Sequence, residues 1–200
     1  MPLPVLNVSG LSCMRGDKWL FAPITVALNE GSALILRGVN GSGKSTLLRC
    51  LAGLMPVKQG NIACASSPLY LGHANALHPS ASALEHVRFW RDLKPTRAIR
   101  DEAVLEILGL TAQANTLAAH LSNGQKRRLS FARLLMHPSK LWLLDEPQAA
   151  LDANGLSMFL SLLNDHLSQG SSAVIASHDA LDITPSTTLE LQKLELREAI

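Results

Sequence analysis

Gly38-Val39-Asn40-Gly41-Ser42-Gly43-Lys44-Ser45-Thr46 follows the apolar run Ala33-Leu34-Ile35-Leu36 and leads into Leu47-Leu48-Arg49-Cys50-Leu51-Ala52. The run before it reads as a buried strand and the segment after it as a helix. The glycines therefore turn the backbone where a helix begins. Several N–H groups and the positive end of the helix converge there, which suits a polyphosphate. In that geometry Lys44 reaches the β- and γ-phosphates and the Ser45 hydroxyl takes a place on Mg²⁺. Gly38, Asn40, Gly41, Ser42, Gly43 and Thr46 complete the cradle. The pattern G-x-x-x-x-G-K-[ST] arises by chance in roughly one chain of this length in a hundred, and the strand-to-helix setting lowers that further. Nucleotide binding is the premise, and what its hydrolysis drives is the question.

Two hundred residues form one domain of fair size, with volume for a core and a small subdomain but not for a second ATPase module. A net charge of +2 is too small to advertise nucleic-acid binding, and 47% hydrophobic residues with few aromatics suits a packed α/β protein. The longest segment lacking Asp, Glu, Lys and Arg, from Gln59 to Leu84, is broken by Gly60, Pro68, Gly72 and Pro79, so no membrane helix is expected. The N-terminus has no basic region followed by an apolar one, and no signal peptide is expected either. Cys13, Cys50 and Cys64 lack metal-type spacing; they are expected as buried or inert thiols of a reduced, cytoplasmic compartment.

Val5 to Leu11 and Leu20 to Leu28 read as paired strands around an Arg15-Gly16-Asp17 turn, an antiparallel flap that opens the fold. Ser32 to Arg37 delivers the phosphate loop, and the helix from Lys44 to Ala52 closes at Gly53. Gly60 to Ala65 and Leu69 to Leu71 are short strands. Beyond them the apolar period becomes helical: Ala83, Leu84, Val87, Phe89 and Trp90 fit one helix, and Ile99, Ala103, Val104, Ile107 and Leu108 another, closed by Gly109. The expected organisation is a single module, with an α/β core at 1–73 and 138–200 and a helical subdomain at 74–137. Leu141 to Leu144 and Ala173 to Ala176 are further buried strands, and the tail from Thr188 to Glu195 is a candidate edge strand.

Candidate functional groups stand at the carboxyl ends of these strands, the edge on which open parallel sheets bind ligands. Asp145 is placed to bind Mg²⁺, usually through water, beside Ser45. Glu146, pointing the other way along a strand, is placed to orient or deprotonate the attacking water. His178 ends the next apolar strand and is placed to hold Glu146, water and γ-phosphate in register. Leu121-Ser122-Asn123-Gly124-Gln125 is a polar turn opening an amphipathic helix that runs to Leu135; such a helix start is an ordinary cap or an anion site.

In this order, the motifs resemble the ATP-binding subunit of ABC transporters over essentially the whole chain: the loop at Gly38 to Thr46, Leu121 to Gln125, Asp145 and Glu146, the Ala150-Leu151-Asp152 turn, and His178. The resemblance implies a P-loop NTPase fold with a mixed-sheet α/β core, an antiparallel β flap and an inserted helical subdomain. It implies ATP hydrolysis with Mg²⁺ by a head-to-tail pair of ATPase subunits. Ser122 and Gly124, with Gln125 in the same loop, would contact the γ-phosphate across the interface, and Asp152 would help the two sites communicate. Three positions depart from the family pattern. Asn123 replaces a glycine, and Asn tolerates positive φ better than most residues. His73 stands where a glutamine usually contacts metal and water and senses the membrane partner. A neutral imidazole binds metal whereas a charged one repels Mg²⁺, so weaker or pH-dependent coupling is expected. Arg15 occupies the adenine-stacking position, either as a guanidinium platform or as a solvated turn residue, with Trp19 and Phe21 read as packing residues.

Within the family the chain most resembles the ATPases of cytochrome c maturation, on Leu71-Gly72-His73, Glu85-His86-Val87-Arg88-Phe89-Trp90, Leu121 to Leu135 and Leu141 to Asp152. This implies a peripheral subunit on the cytoplasmic face of the inner membrane, bound to integral membrane subunits and driving haem export or release of a haem-loaded chaperone. No Cys-x-x-Cys-His occurs, so haem handling is expected to fall to the partners. Arg88, Arg91, Lys94, Arg97 and Arg100 form a solvated basic face or a contact for acidic groups of a membrane partner or phospholipid. Without aromatic interleaving they imply no nucleic acid partner. The same engine serving another transporter, or a soluble ABC ATPase, are the alternatives.

Overall fold

Strand β5 (Ala33–Arg37) is buried on both faces up to its last residue, which requires a sheet covered on both sides. The computed structural model describes residues 4–15, 18–93, 97–178 and 181–192, without the side chains of Arg15 and Lys18. It divides into two compact units, one within Met1–Gly72, Lys140–Glu146 and His166–Ile200, the other His73–Ser139 with Pro147–Asp165.

In the first unit β5 lies inside a five-stranded parallel sheet, between the edge strand β10 (Ser186–Glu190) and β9 (Ser172–Ala176), with β8 (Leu141–Asp145) and β7 (Leu69–Leu71) beyond. The expected edge strand in the tail is therefore present, starting at Ser186 rather than Thr188; the end of that reading, from 193, lies outside the described residues. Leu34, Leu36, Leu143, Val174 and Ala176 share one core with Leu47, Leu48 and Leu51 of α1 (Lys44–Leu51) and with Leu6, Val8 and Leu11 of β1 (Leu6–Ser12). The core thus ties the phosphate-loop helix directly to the sheet.

Strand β1 pairs antiparallel with β4 (Ile24–Leu28) on one side and β6 (Gln59–Cys64) on the other, so that Leu6 faces both Leu28 and Cys64. Its register shifts between Val8 and Leu11 in the pairing with β4, a bulge that returns Leu11 to the buried face on which Leu6 and Val8 lie. The expected antiparallel pairing is thus present, but between shorter segments: β2 (Met14–Arg15) pairs with β3 (Lys18–Trp19) as a separate ribbon, Gly16 and Asp17 lie outside the described residues, and the long partner of β1 starts at Ile24 rather than Leu20. The reason is local: the Ser12 hydroxyl donates to the Phe21 carbonyl at 2.8 Å and the Leu20 N–H to the Cys13 carbonyl at 3.0 Å. These bonds draw the chain into a side loop and drop Phe21 into the core.

The second unit is helical, with α2 (Ala83–Asp92), α3 (Asp101–Ile107), α4 (Asn123–Ser130), α5 (Ala132–Met136), 3₁₀ turns at Thr111–Gln113 and Ala118–His120, and most of α6 (Ala153–Ser168). Helices α2 and α4 both start in a reciprocal capping box, Ser82 with Glu85 and Ser122 with Gln125. In α2, Ala83, Val87 and Trp90 recur at helical spacing and are the buried apolar stripe. The helix expected to run unbroken to Leu135 is interrupted at Phe131. The Ser130 hydroxyl donates to the Arg127 carbonyl at 2.7 Å, the Phe131 N–H to the Arg128 carbonyl at 3.0 Å, and the Phe131 ring meets Phe159 with centroids 5.3 Å apart. Part of the basic face is an internal ion-pair cluster: Arg88 and Arg91 close on the buried Asp101 carboxylate at 3.5 and 2.6 Å. Lys94 lies outside the described residues. Among those described, no helix is long and apolar enough to cross a membrane.

Candidate active site

Parallel pairing sets Leu36 of β5 and Asp145 of β8 level with Ala176 of β9. The three chains therefore leave the sheet together, and Gly38, Glu146 and His178 follow within two residues of that line. Helix α1 starts immediately beyond. Its N-cap is Gly43, at φ 101°, which offers no side-chain oxygen, so the first N–H groups of the helix receive no side-chain cap. They face a cavity of about 250 Å³ lined by Leu20, Asn40, Gly41, Gly43, Lys44, Ser45, Thr46 and Glu146. An anion is the group that such a wall accepts.

The side chains around this cavity are mutually engaged. Lys44 is buried, and its ammonium donates to the Gly38 carbonyl at 2.7 Å and approaches His178 Nε2 at 3.3 Å. The same Nε2 lies 3.0 Å from Glu146 Oε1. One ring nitrogen either accepts from Lys44 or donates to Glu146, so the imidazole can serve only one of them at a time. The Ser45 hydroxyl donates to Asp145 Oδ1 at 3.0 Å, and Asp145 is only 2% exposed. Tyr70 of β7 borders the same carboxylate. Burial, more than any neighbour, pushes its phenol above the usual range; Asp145 adds to the rise and Arg49 opposes it.

Glu146 does not alternate away from Asp145 along a strand, because β8 ends at Asp145 and Glu146 adopts the left-handed conformation, φ 49°. Its N–H still donates to the Ala176 carbonyl at 3.0 Å, holding the strained residue against β9 while the side chain swings to His178. The separation of the two carboxylates is thus a backbone twist rather than the pleat. Gly38, at φ 140°, is held by close packing: a Cβ on it would lie 2.6 Å from the Leu191 carbonyl oxygen and 2.7 Å from Oγ of the fully buried Ser42.

Apart from Arg15, the remaining candidates belong to the second unit. Ser122 Oγ accepts from the Gln125 N–H at 3.1 Å and Gln125 Oε1 from the Ser122 N–H at 2.8 Å. This capping uses the serine oxygen as acceptor and leaves its proton to donate elsewhere. Asn123 is the first residue of α4 and Ser122 carries the extended cap geometry, so the loop does not require the positive φ expected at Asn123. Gly124 is needed for closeness instead: a Cβ there would lie 2.9 Å from the Ala150 carbonyl oxygen. The Asp152 carboxylate accepts from the Gly155 N–H at 2.7 Å at the start of α6. His73 is exposed, and its carbonyl accepts from Arg127 at 3.5 Å. The Arg15 side chain lies outside the described residues. Of the two aromatics read as packing residues, Phe21 is buried against Gly43 but Trp19 is 41% exposed. Sequence reasoning missed Leu20, Tyr70 and Arg127, since an apolar cavity wall and buried polar neighbours carry no local pattern.

A sheet edge that aims a lysine, a serine–aspartate pair and a glutamate–histidine pair at an uncapped helix start defines a P-loop nucleotide-binding domain. Residues 21–149 match the ABC transporter family, and the chain belongs to that family as an ATP-binding, ATP-hydrolysing domain of transporter type. It is 43% identical over 188 residues, 94% of this chain and 89% of the relative, to the cytochrome c biogenesis ATP-binding export protein CcmA of Paracoccus denitrificans. To the protein of the same name from Hyphomonas neptunium it is 41% identical over 189 residues, 93% of this chain and 97% of the relative. A solved ATP-binding subunit of an ABC transporter superposes with a TM-score of 0.76 at 23% identity, covering 87% of this chain and 79% of its own, and shares the fold.

Proposed function

We propose that the two units work as one ATP-binding module and that two copies, paired head to tail, drive a membrane complex for cytochrome c biogenesis that exports haem or releases a haem-loaded chaperone. The observation that carries the ATPase part is the contact of Lys44, His178 and Glu146 at the mouth of the phosphate-loop cavity. The similarity to the CcmA proteins supports the purpose.

In this reading Lys44 and the N–H groups at the start of α1 bind the β- and γ-phosphates, with Gly38 to Thr46 wrapped around them. Ser45 Oγ and the Asp145 carboxylate, 3.0 Å apart, are the hard oxygen donors that suit Mg²⁺, and bound Mg²⁺ would neutralise charge on the phosphates. Glu146 orients the attacking water and accepts its proton, and His178 holds Glu146 in place from the other side. The Ser122 hydroxyl, Gly124 and Gln125 of the second copy donate to the γ-phosphate, and Asp152 connects the two sites. Arg15 stacks on adenine. His73 ties the state of the site to the membrane subunits and makes that coupling weaker or pH-dependent; an ATPase rate and pH profile both unchanged on replacement by Gln would remove it from this role. The chain sits peripherally on the cytoplasmic face of the inner membrane, and the integral subunits handle haem.

The test is an affinity pull-down of Glu146→Gln from solubilised membranes with Mg-ATP, followed by mass spectrometry and a haem absorbance spectrum. Slowed hydrolysis should trap the complex with cytochrome c maturation membrane proteins and a haem-bearing chaperone. Recovery of a different permease would keep the engine and overturn the purpose, and soluble ribosomal or DNA partners alone would overturn the transporter reading.

A further inference from the structure

Among the described residues Arg127 has the largest side chain of the fully buried ones, at 2% exposure. A guanidinium keeps its charge in a protein, so its burial demands acceptors that are held in place. Nε donates to the Pro147 carbonyl at 3.0 Å, and Nη1 to Asn75 Oδ1 at 3.3 Å and to the His73 carbonyl at 3.5 Å. The Phe131 ring, one helical turn on, flanks the cation at 5.7 Å. These acceptors come from the loop that follows β7 and the turn that follows β8, so one side chain of α4 joins three segments remote in sequence.

Two neighbouring contacts make the junction tight. Arg133 donates through Nη2 to the Asn75 carbonyl at 3.2 Å and lies over the Trp90 ring at 5.4 Å, so Asn75 is gripped from both sides. The start of α4 is seated directly on the 147–152 turn, where Gly124 leaves no room for a Cβ against the Ala150 carbonyl and Ala150 itself is left-handed, φ 64°. Each joined segment carries a group of the proposed mechanism: His73 in the first, Asp152 in the second, and Ser122 to Gln125 at the head of α4.

We propose that Arg127 is a positioning residue for ATP hydrolysis, which keeps the Ser122–Gln125 loop, the His73–Asn75 loop and the turn after Glu146 in one register when the Ser122–Gln125 loop meets the nucleotide of the second copy. This rests on the head-to-tail reading above. In this role Arg127 acts through the segments it joins. Its planar fork holds the Pro147 and Asn75 acceptors from one rigid group, which a single ammonium on a flexible stem cannot reproduce.

The test uses the full chain and three measurements: ATP affinity at low protein concentration, Mg-ATP-driven dimerisation in a Glu146→Gln background, and steady-state turnover. Arg127→Lys is expected to bind ATP within about twofold of the wild type, because its own phosphate loop is untouched. Its kcat is expected to fall about 10- to 100-fold, the scale of a misplacement of about 1 Å, and its dimerisation midpoint to move to higher Mg-ATP. Asn75→Ala, which removes one acceptor and keeps the arginine, should shift kcat and the midpoint in the same direction by less. Wild-type turnover in a folded Arg127→Lys protein would overturn the proposal. So would a loss of kcat matched by equal losses of ATP affinity and thermal stability, the signature of a merely structural residue. If the Glu146→Gln chain with Arg127 intact fails to dimerise on Mg-ATP, the head-to-tail reading itself fails and this proposal falls with it.

Discussion

Gly43→Ala tests the phosphate loop where the fold constrains it most, and Gly41→Ala in the same loop is its internal control. Both glycines are left-handed, at φ 101° and 80°. An L side chain in that region costs about 1–2 kcal/mol at either site. The surroundings differ. A Cβ at Gly43 would stand 2.8 and 2.9 Å from two ring carbons of Phe21 and 3.2 Å from Leu20 Cβ, whereas at Gly41 nothing lies within 4 Å. Phe21 is 1% exposed and has no room to recoil, so overpacking adds about 1–3 kcal/mol at Gly43 alone. For a chain of this size about 2–4 °C of melting temperature is lost per kcal/mol. Gly41→Ala should therefore melt about 2–8 °C below the wild type and Gly43→Ala about 4–20 °C below it by the same conversion. The pair is compared by differential scanning calorimetry without nucleotide, and then by ATP titration. Because Leu20 lines the cavity and Phe21 supports it, Gly43→Ala should also weaken ATP binding by at least about tenfold, the equivalent of about 1.4 kcal/mol. Equal melting temperatures for the two variants would show that Phe21 does not brace the loop and would refute the packing argument.

Ser45→Ala and Asp145→Asn should each raise the Mg²⁺ concentration needed for half-maximal turnover by about an order of magnitude while nucleotide binding without metal is kept, since an oxygen donor and not the phosphate cradle is altered; an unchanged metal titration in both variants would exclude this pair as the Mg²⁺ site. Glu146→Gln should bind ATP normally and turn it over about 10²- to 10⁴-fold more slowly, the range of a lost general base, measured under single-turnover conditions. His178→Ala removes the group shared by Lys44 and Glu146 and should lower kcat far more than ATP affinity; a pure affinity loss in isothermal titration would move His178 to a binding role. The thiols should separate by reactivity. Cys13 and Cys50 are buried with their sulfurs 3.2 Å apart, and hydrogen bonding to Cys50, reinforced by burial, holds the Cys13 thiol far above its usual range. Iodoacetamide should label the half-exposed Cys64 first and the other two only on unfolding, as peptide mass mapping would show.

The local chemistry of the site was legible because each part is a pattern over a few consecutive residues. An apolar run, a glycine-rich loop ending in Lys44 and Ser45, and the carboxylates and histidine closing two more apolar runs announce strand ends and a helix start without any long-range information. Strand order was not, because parallel neighbours come from distant segments and periodicity carries no pairing: only the fold sets Asp145 level with Ala176 and so brings Glu146 to His178. The left-handed twist of Glu146, the close seat of Gly124 on Ala150 and the brace of Phe21 on Gly43 were likewise decided by packing, which selects strained or crowded conformations that residue preference opposes. Arg127 marks that boundary most clearly. In the sequence it is one of three consecutive basic residues on an amphipathic helix, and tertiary structure alone turned it inward, because the carbonyl groups of two returning segments, the His73–Asn75 loop and the turn at Pro147, needed one buried donor between them.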